Sequence, residues 1–442
     1  MFNFEKFMLF DNCIFLSEKT SLNQANLNSV LKQNLLLLLL STSAFGQFLS
    51  EFSPPEHIKS VLFYVNEQNT SLPIVPLNES ITLRFDDLNA DDSTYYYTVE
   101  RANANWEKSD LFRADFMDGY DNIRIQDISY SVGTLQSYIN YKLELPNKQT
   151  RLKKSGNYIL KIWDDNRNLV LQKRFVVVDE ATAIRMRVRR AQHINEIQTH
   201  QSVHLSLITS GLSFSIPEQQ LKIFVAQNQQ WQTWRSAGNA TYTLGNKLEF
   251  TYKPETLFAG GNEYHFFETQ DIRGGGGNVA YVLRDSVFVS FLEPQWVRAG
   301  RPYTYAPDIN GDFRINVFQG ANPHTESDYS MVIFSLFSED FLFDAEHFIV
   351  GDFNQHIKSE ENKLKYNPET ERFQAELLLK QGIYNYKFVS KDFEGTSYDN
   401  LISGSYWPTE NTYWAFVYYR PLGARCDELI AVGSANSKDI GL

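Results

Sequence analysis

Cysteine is almost missing from this chain: Cys13 and Cys426 are the two in 442 residues. Cys13 falls in an N-terminal segment that reads as a removed leader, which leaves one thiol. A lone thiol makes neither an internal disulfide nor a Cys-based zinc site, so stability must come from core burial. An excess of basic residues is lacking too. The formal net charge is −12, whereas phosphate binding needs concentrated Lys and Arg, so a nucleic-acid partner is not expected. Docking on an anionic membrane is disfavoured for the same reason. No apolar run approaches the ~20 residues that span a bilayer, so the mature chain is not expected to insert in a membrane. The His-Glu-x-x-His, Gly-x-Ser-x-Gly and Gly-x-x-x-x-Gly-Lys signatures are absent. The expectation is a protein that is not an enzyme and holds no cofactor or metal.

What is present favours strands. Apolar residues make up 43% and aromatic residues 14%, carried mainly by 33 Phe and 24 Tyr. Rings and β-branched side chains fit a pleated, half-buried surface. The length is too great for one core and suggests about three domains.

The leader is read from Lys32, the apolar stretch Leu35–Leu40, and the small residues Ala44 and Gly46. A positive flank, a short apolar run and a small-x-small site make a signal peptide, with cleavage expected between Gly46 and Gln47. Residues 1–46 are therefore assigned to the leader. No Cys follows the cleavage site, so no lipid anchor is expected there. Glu5, Asp11 and Glu18 precede the run where positive charge is usual. The hypothesis is a true start near Val30 or Leu31, and efficient export that requires Met1 would refute it.

Alternation with period 2 recurs through the rest. Ile81, Leu83 and Phe85 alternate with polar neighbours, as do Ile139, Tyr141, Leu143 and Leu145. Tyr158, Leu160 and Ile162 lead into the turn Asp164-Asp165-Asn166, and 169–178 returns. These are half-buried antiparallel strands bounded by turn residues. No long stretch shows a 3.6-residue apolar period. The pattern predicts an all-β fold of three consecutive immunoglobulin-like sandwiches over 50–180, 181–295 and 296–430. Residues 431–442 are set apart as a tail, in which the small, polar stretch Gly433–Leu442 is expected to fray.

Several clusters invite a chemical reading. His200 and His204 share a strand face, but four residues of strand separate them by about 13 Å, too far for one metal. Asp308, Asn310 and Asp312 resemble a calcium loop, yet the later bidentate Glu is missing and Asn310-Gly311 is a hairpin signal. The Gly274–Gly277 run lacks the strand–helix context of a nucleotide site and reads as a flexible loop. Asp91-Asp92 and Asp164-Asp165 read as turn chemistry. Arg185, Arg187, Arg189 and Arg190 form a basic stripe, either a solvated strand face or a docking edge for an acidic surface.

The third segment runs through Ile349-Val350, the turn Gly351-Asp352-Phe353-Asn354, a second turn at Tyr366–Thr370, and the strand Ile383–Phe388. This succession resembles the immunoglobulin-like starch- and glycogen-binding modules, which stack sugars on tryptophan. His356 stands where that family tends to place a Trp, although Trp407 and Trp414 could substitute. A periplasmic glycan-binding protein is therefore an alternative.

A wider resemblance rests on an ordered set of segments: Leu72–Leu77, Leu83–Leu88, Tyr95–Glu100, Ala104–Trp106, Ser109–Leu111, Asp118-Gly119, Thr134–Tyr138, Leu145–Asn147 and Lys154–Tyr158. Arg301–Ala306, Leu379–Gly382 and Tyr418–Arg425 continue it. From about 50 to 436 the chain resembles the plug protein family of the type IX secretion system. The resemblance implies a periplasmic, non-catalytic body whose partner is a giant outer-membrane β-barrel translocon, occupied by the plug at its periplasmic mouth. No partner-binding residue follows from it.

Overall fold

The computed structural model describes residues 52–209 and 217–439. The expected leader and the Gly46–Gln47 cleavage lie outside them. Strands dominate, and the helices described run three to five residues, as in Trp231–Thr233, Arg113–Phe116 and Asp340–Asp344. None of the helices described is long and apolar enough to cross a membrane.

Six main sheets enclose three hydrophobic cores. The first pair begins with a sheet in the order Gln68–Asn69, Ile58–Val65, Ile81–Asp87, Ile139–Leu145, Asp127–Tyr130. Facing it is a sheet in the order Ile74–Pro76, Leu169–Val178, Gly156–Trp163, Tyr96–Ala102, Ile123–Arg124. The alternation read from sequence aims Leu83, Phe85, Tyr141, Leu160 and Phe175 into one core. Phe85 and Tyr141 stack there at 5.1 Å.

The second pair sets strands Ile184–Arg190, His200–Ile208, Lys247–Phe250 and Tyr242–Leu244 against Arg235–Ser236, Leu221–Gln227, Thr412–Tyr419 and Glu428–Asn436. Val203, Leu205, Val225, Tyr413 and Val417 fill the space between. In the third pair, His265–Glu268, Phe313–Ile315 and Ala345–Val350 all bond to the long strand Gly382–Asp392. Its mate runs Val279–Arg284, Phe288–Leu292, Tyr329–Phe337, Arg372–Lys380, Lys365–Asn367.

The pairing departs from three consecutive blocks. Strands Thr412–Tyr419 and Glu428–Asn436, expected in or beyond the third segment, complete the second core. Strands His265–Glu268, Val279–Arg284 and Phe288–Leu292, expected in the second, complete the third. The reason is burial on two faces. Tyr413, Ala415 and Val417 face one core while Phe416 and Tyr418 face another apolar cluster. A strand apolar on both faces needs a layer packed on each, which these two clusters supply, while Leu221–Gln227 and Glu428–Asn436 pair its two edges. The expected fraying tail differs accordingly. Residues 431–436 continue an ordered strand that begins at Glu428 and includes the buried Leu429 and Ile430.

Candidate functional site: the junctions between the cores

The first and second cores are joined by an aromatic seam. Outer-face residues of the first pair, Ile159, Val176, Val178 and Trp106, meet Phe224, Trp231, Trp234, Phe416 and Tyr418 of the second. Trp106 packs edge-on to Trp231 at 4.9 Å and to Trp234 at 5.9 Å. The Arg174 guanidinium lies 5.5 Å over the Trp106 ring. Edge-to-face rings and a cation over a ring add attraction beyond burial alone.

Polar groups fix the seam's register. Arg101 donates to the carbonyls of Ala102 (2.8 Å), Ser155 (2.5 Å) and Asp427 (2.6 Å), so one buried guanidinium ties the two pairs together. The Asp427 carboxylate accepts from Ala104 N at 3.0 Å and Arg420 Nε at 2.8 Å. Burial pushes Asp427 up, but Ala104 N–H, Arg420 and Lys222 outweigh it and hold the carboxyl below its ordinary range. Tyr418 OH donates to Asn157 Oδ1 at 2.5 Å.

The first and third cores meet around a buried ion pair. Lys380 Nζ lies 2.7 Å from Asp86 Oδ2, and both side chains are at most 1% exposed. Tyr329 OH donates to the same oxygen at 2.7 Å, and Asn140 Nδ2 to Oδ1 at 2.7 Å. Lys380 also donates to His324 O at 2.7 Å and sits 3.9 Å over the Tyr138 ring. Burial lowers Lys380 from its ordinary range, and Asp86 pulls in the other direction. Burial with Arg84, Lys380 and Lys142 nearby holds His324 down to about 4. Beside this pair the Asp328 carboxylate accepts from Leu135 N (2.7 Å) and Gln136 N (3.2 Å).

All three pairs converge near Asp312. Asn69 Nδ2 donates to Asp312 Oδ1 at 3.1 Å, while its neighbour Thr70 donates to Gln229 Oε1 at 2.8 Å. Burial, then the Asp352 carboxyl, push Asp312 up to about 8. Asp352 is raised in turn by its own burial and lies 2.7 Å from His356 Nε2.

These junctions gather segments that the sequence shows only as separate pieces. Leu83–Leu88 contributes Asp86, Leu379–Gly382 contributes Lys380, and Thr134–Tyr138 wraps Asp328 and Lys380. Lys154–Tyr158 and Tyr418–Arg425 meet through Asn157 and Tyr418. Asp427, Asp328, Trp231 and Trp234 were missed. The two tryptophans, three residues apart in an irregular stretch, were the available signal.

His200 bonds Thr199 Oγ1 at 2.8 Å, and His204 packs on Tyr252 at 4.4 Å, without a shared ligand. Among the described residues no group of three or more His, Cys, Asp or Glu is placed to hold a metal. Asp308 accepts from Asn310 N (2.8 Å) within the turn and from the distant Tyr264 N (2.5 Å), so each of its oxygens serves a backbone N–H. The Gly274–Gly277 run links strands His265–Glu268 and Val279–Arg284. His356 is turned inward onto Asp352, with a side chain 7% exposed. Trp414 packs against the aromatic seam, and Trp407 carries the Arg190 guanidinium 4.8 Å over its ring. Cys426 is buried and free. Arg185, Arg187 and Arg189 project from the strand Ile184–Arg190 into solvent.

A family model described as the type 9 secretion system plug protein 1st domain matches residues 58–179, the span of the first sheet pair. A crystal structure of a hypothetical protein from Parabacteroides merdae is similar at 30% identity and a TM-score of 0.82. The alignment covers 87% of this chain and 98% of that one. No curated protein matches. The chain belongs to the type 9 secretion system plug protein family.

Proposed function

We propose that this chain is a non-enzymatic periplasmic plug, which closes the periplasmic opening of the type IX outer-membrane translocon when no cargo fills it. A pore wide enough for folded proteins leaks unless a stiff body covers it, and stiffness requires that domains not hinge. Interfaces between domains of one chain are ordinarily polar and permit motion. Here the observation that carries the reading is the pair of buried junctions, the tryptophan seam and the Asp86–Lys380 contact. They turn three cores into one body with no disulfide among the described residues.

Shape is thus the activity, and the partner is a giant β-barrel met over a broad surface of modest contacts. Such a contact can release when cargo arrives. The test is affinity capture of the tagged mature chain under gentle solubilisation, paired with a deletion strain. Co-purification of a very large outer-membrane barrel and higher permeability to bulky antibiotics are expected. A chain that elutes alone, with unchanged permeability on deletion, would sink the reading.

A further inference from the structure

The basic stripe borders a cleft that the plug reading leaves unused. Strand Ile184–Arg190 is the last of its sheet and bonds on one side to His200–Ile208, with Arg187 opposite His204 and Arg189 opposite Ser202. Glu428–Asn436, the last strand of the facing sheet, approaches it without pairing. The two lie close at their start. Asp179 N donates to Leu429 O at 3.1 Å and Ala181 N to Ile430 O at 2.9 Å, and a Cβ on Gly433 would come within 2.9 Å of Ile184 O.

Past Gly433 they part. The gap between 187–190 and 437–439 is a cleft of about 410 Å³, bordered by Arg187, Arg189, Arg190, Trp407, Lys438 and Asp439. That volume is in the range of ligand sites. Its charge is one-sided. Arg187 and Arg189 are exposed and have no carboxylate partner among the described residues. Arg190 covers Trp407, and Lys438 Nζ stands 4.2 Å over the Tyr305 ring. The one carboxylate present, Asp439, is turned to Asn436 N at 3.3 Å. Four cations face one anion in a chain of net charge −12.

We propose that this cleft binds an extended, acidic peptide segment, which adds as a strand to the free edge at 187–190 while its carboxylates meet Arg187, Arg189 and Lys438. An edge strand offers unpaired N–H and C=O groups at the strand repeat, which gives affinity to any extended backbone. Carboxylates at alternate positions then match Arg187 and Arg189, which share one face of the strand. Bidentate guanidinium–carboxylate contacts make the choice acidic. A soluble peptide suffices for the test, so the proposal stands independently of plugging.

The experiment titrates the full chain into a fluorescent decapeptide of alternating Glu and Val, read by anisotropy. Parallel titrations use the Lys-for-Glu peptide, an acidic uronate oligosaccharide and phosphatidylglycerol vesicles. Saturable binding of the acidic peptide alone is expected, weakened at least about tenfold by R187E/R189E and largely kept by R187K/R189K. Raising salt from about 0.05 to 0.5 M should weaken it several-fold. Both variants should melt with the parent, because the replaced side chains are exposed. Hydrogen exchange at residues 187–190 should slow with peptide bound. No saturable binding, equal binding by R187E/R189E, preference for the oligosaccharide or vesicles, or self-association of the chain through this edge would each overturn the proposal.

Discussion

The two principal junctions solve one problem with different chemistry. Between the first and second cores, rings supply the contact: Trp106, Trp231, Trp234 and Phe416 bury large apolar areas and tolerate small shifts. Between the first and third, a charge pair is buried from solvent, with Tyr329, Asn140 and the His324 carbonyl bonded to it. Apolar contact is non-directional, so it gives strength. A buried pair gains little net free energy against its desolvation but is costly to halve, so it acts as a register lock. The seam resists separation, and the lock resists sliding.

The largest loss should come from the seam. Trp106→Ala removes the ring shared by Trp231, Trp234 and Arg174 and should cost about 3–5 kcal/mol in a denaturant titration. A cost near zero would show that the seam is only in contact. Lys380→Met should follow at about 3 kcal/mol, because Asp86 is left buried without its cationic partner while Tyr329 and Asn140 still donate to it. Adding Asp86→Asn should recover most of that loss. Equal, additive losses in this double-mutant cycle would remove the lock from the account. Smaller again is Tyr418→Phe, which leaves Asn157 Oδ1 without its 2.5 Å donor and should cost about 1–2 kcal/mol.

The last effect has the opposite sign and depends on pH. Burial and Asp352 raise Asp312 to about 8, above its ordinary 3.8. The folded state thus keeps a proton that the unfolded chain has lost. Stability from this group is fully present below the unfolded value and is lost as pH rises through about 8. Asp312→Asn should therefore flatten the fall in melting temperature between pH 6.5 and 9. His324, held down to about 4, works the other way as pH falls below 6.5, so the comparison belongs above that value. An unchanged slope in the variant would show that another group carries the dependence.

Individual strands were legible because alternation is local. Ile81–Asp87, Ile139–Leu145, Gly156–Trp163 and Leu169–Val178 occur where the pattern predicts them. Partnership was not legible. Thr412–Tyr419 is apolar on both faces, which marks an interior strand without saying what lies beside it, and its neighbour Leu221–Gln227 is almost two hundred positions away. The junctions were visible only as fragments. Asp86 and Lys380 stand 294 residues apart, and a lone Asp or Lys in a strand looks solvent-facing until its partner is known. The basic stripe was the reverse case: Arg185, Arg187 and Arg189 point outward as the alternation requires, but the cleft beside them depends on where 437–439 comes to rest.

The welded body is tested most directly by scanning calorimetry of the chain from Gln47 onward. If the seam and the lock make one unit, a single transition is expected, with calorimetric and van't Hoff enthalpies equal. Two or three resolved transitions, each assignable to one core, would contradict it.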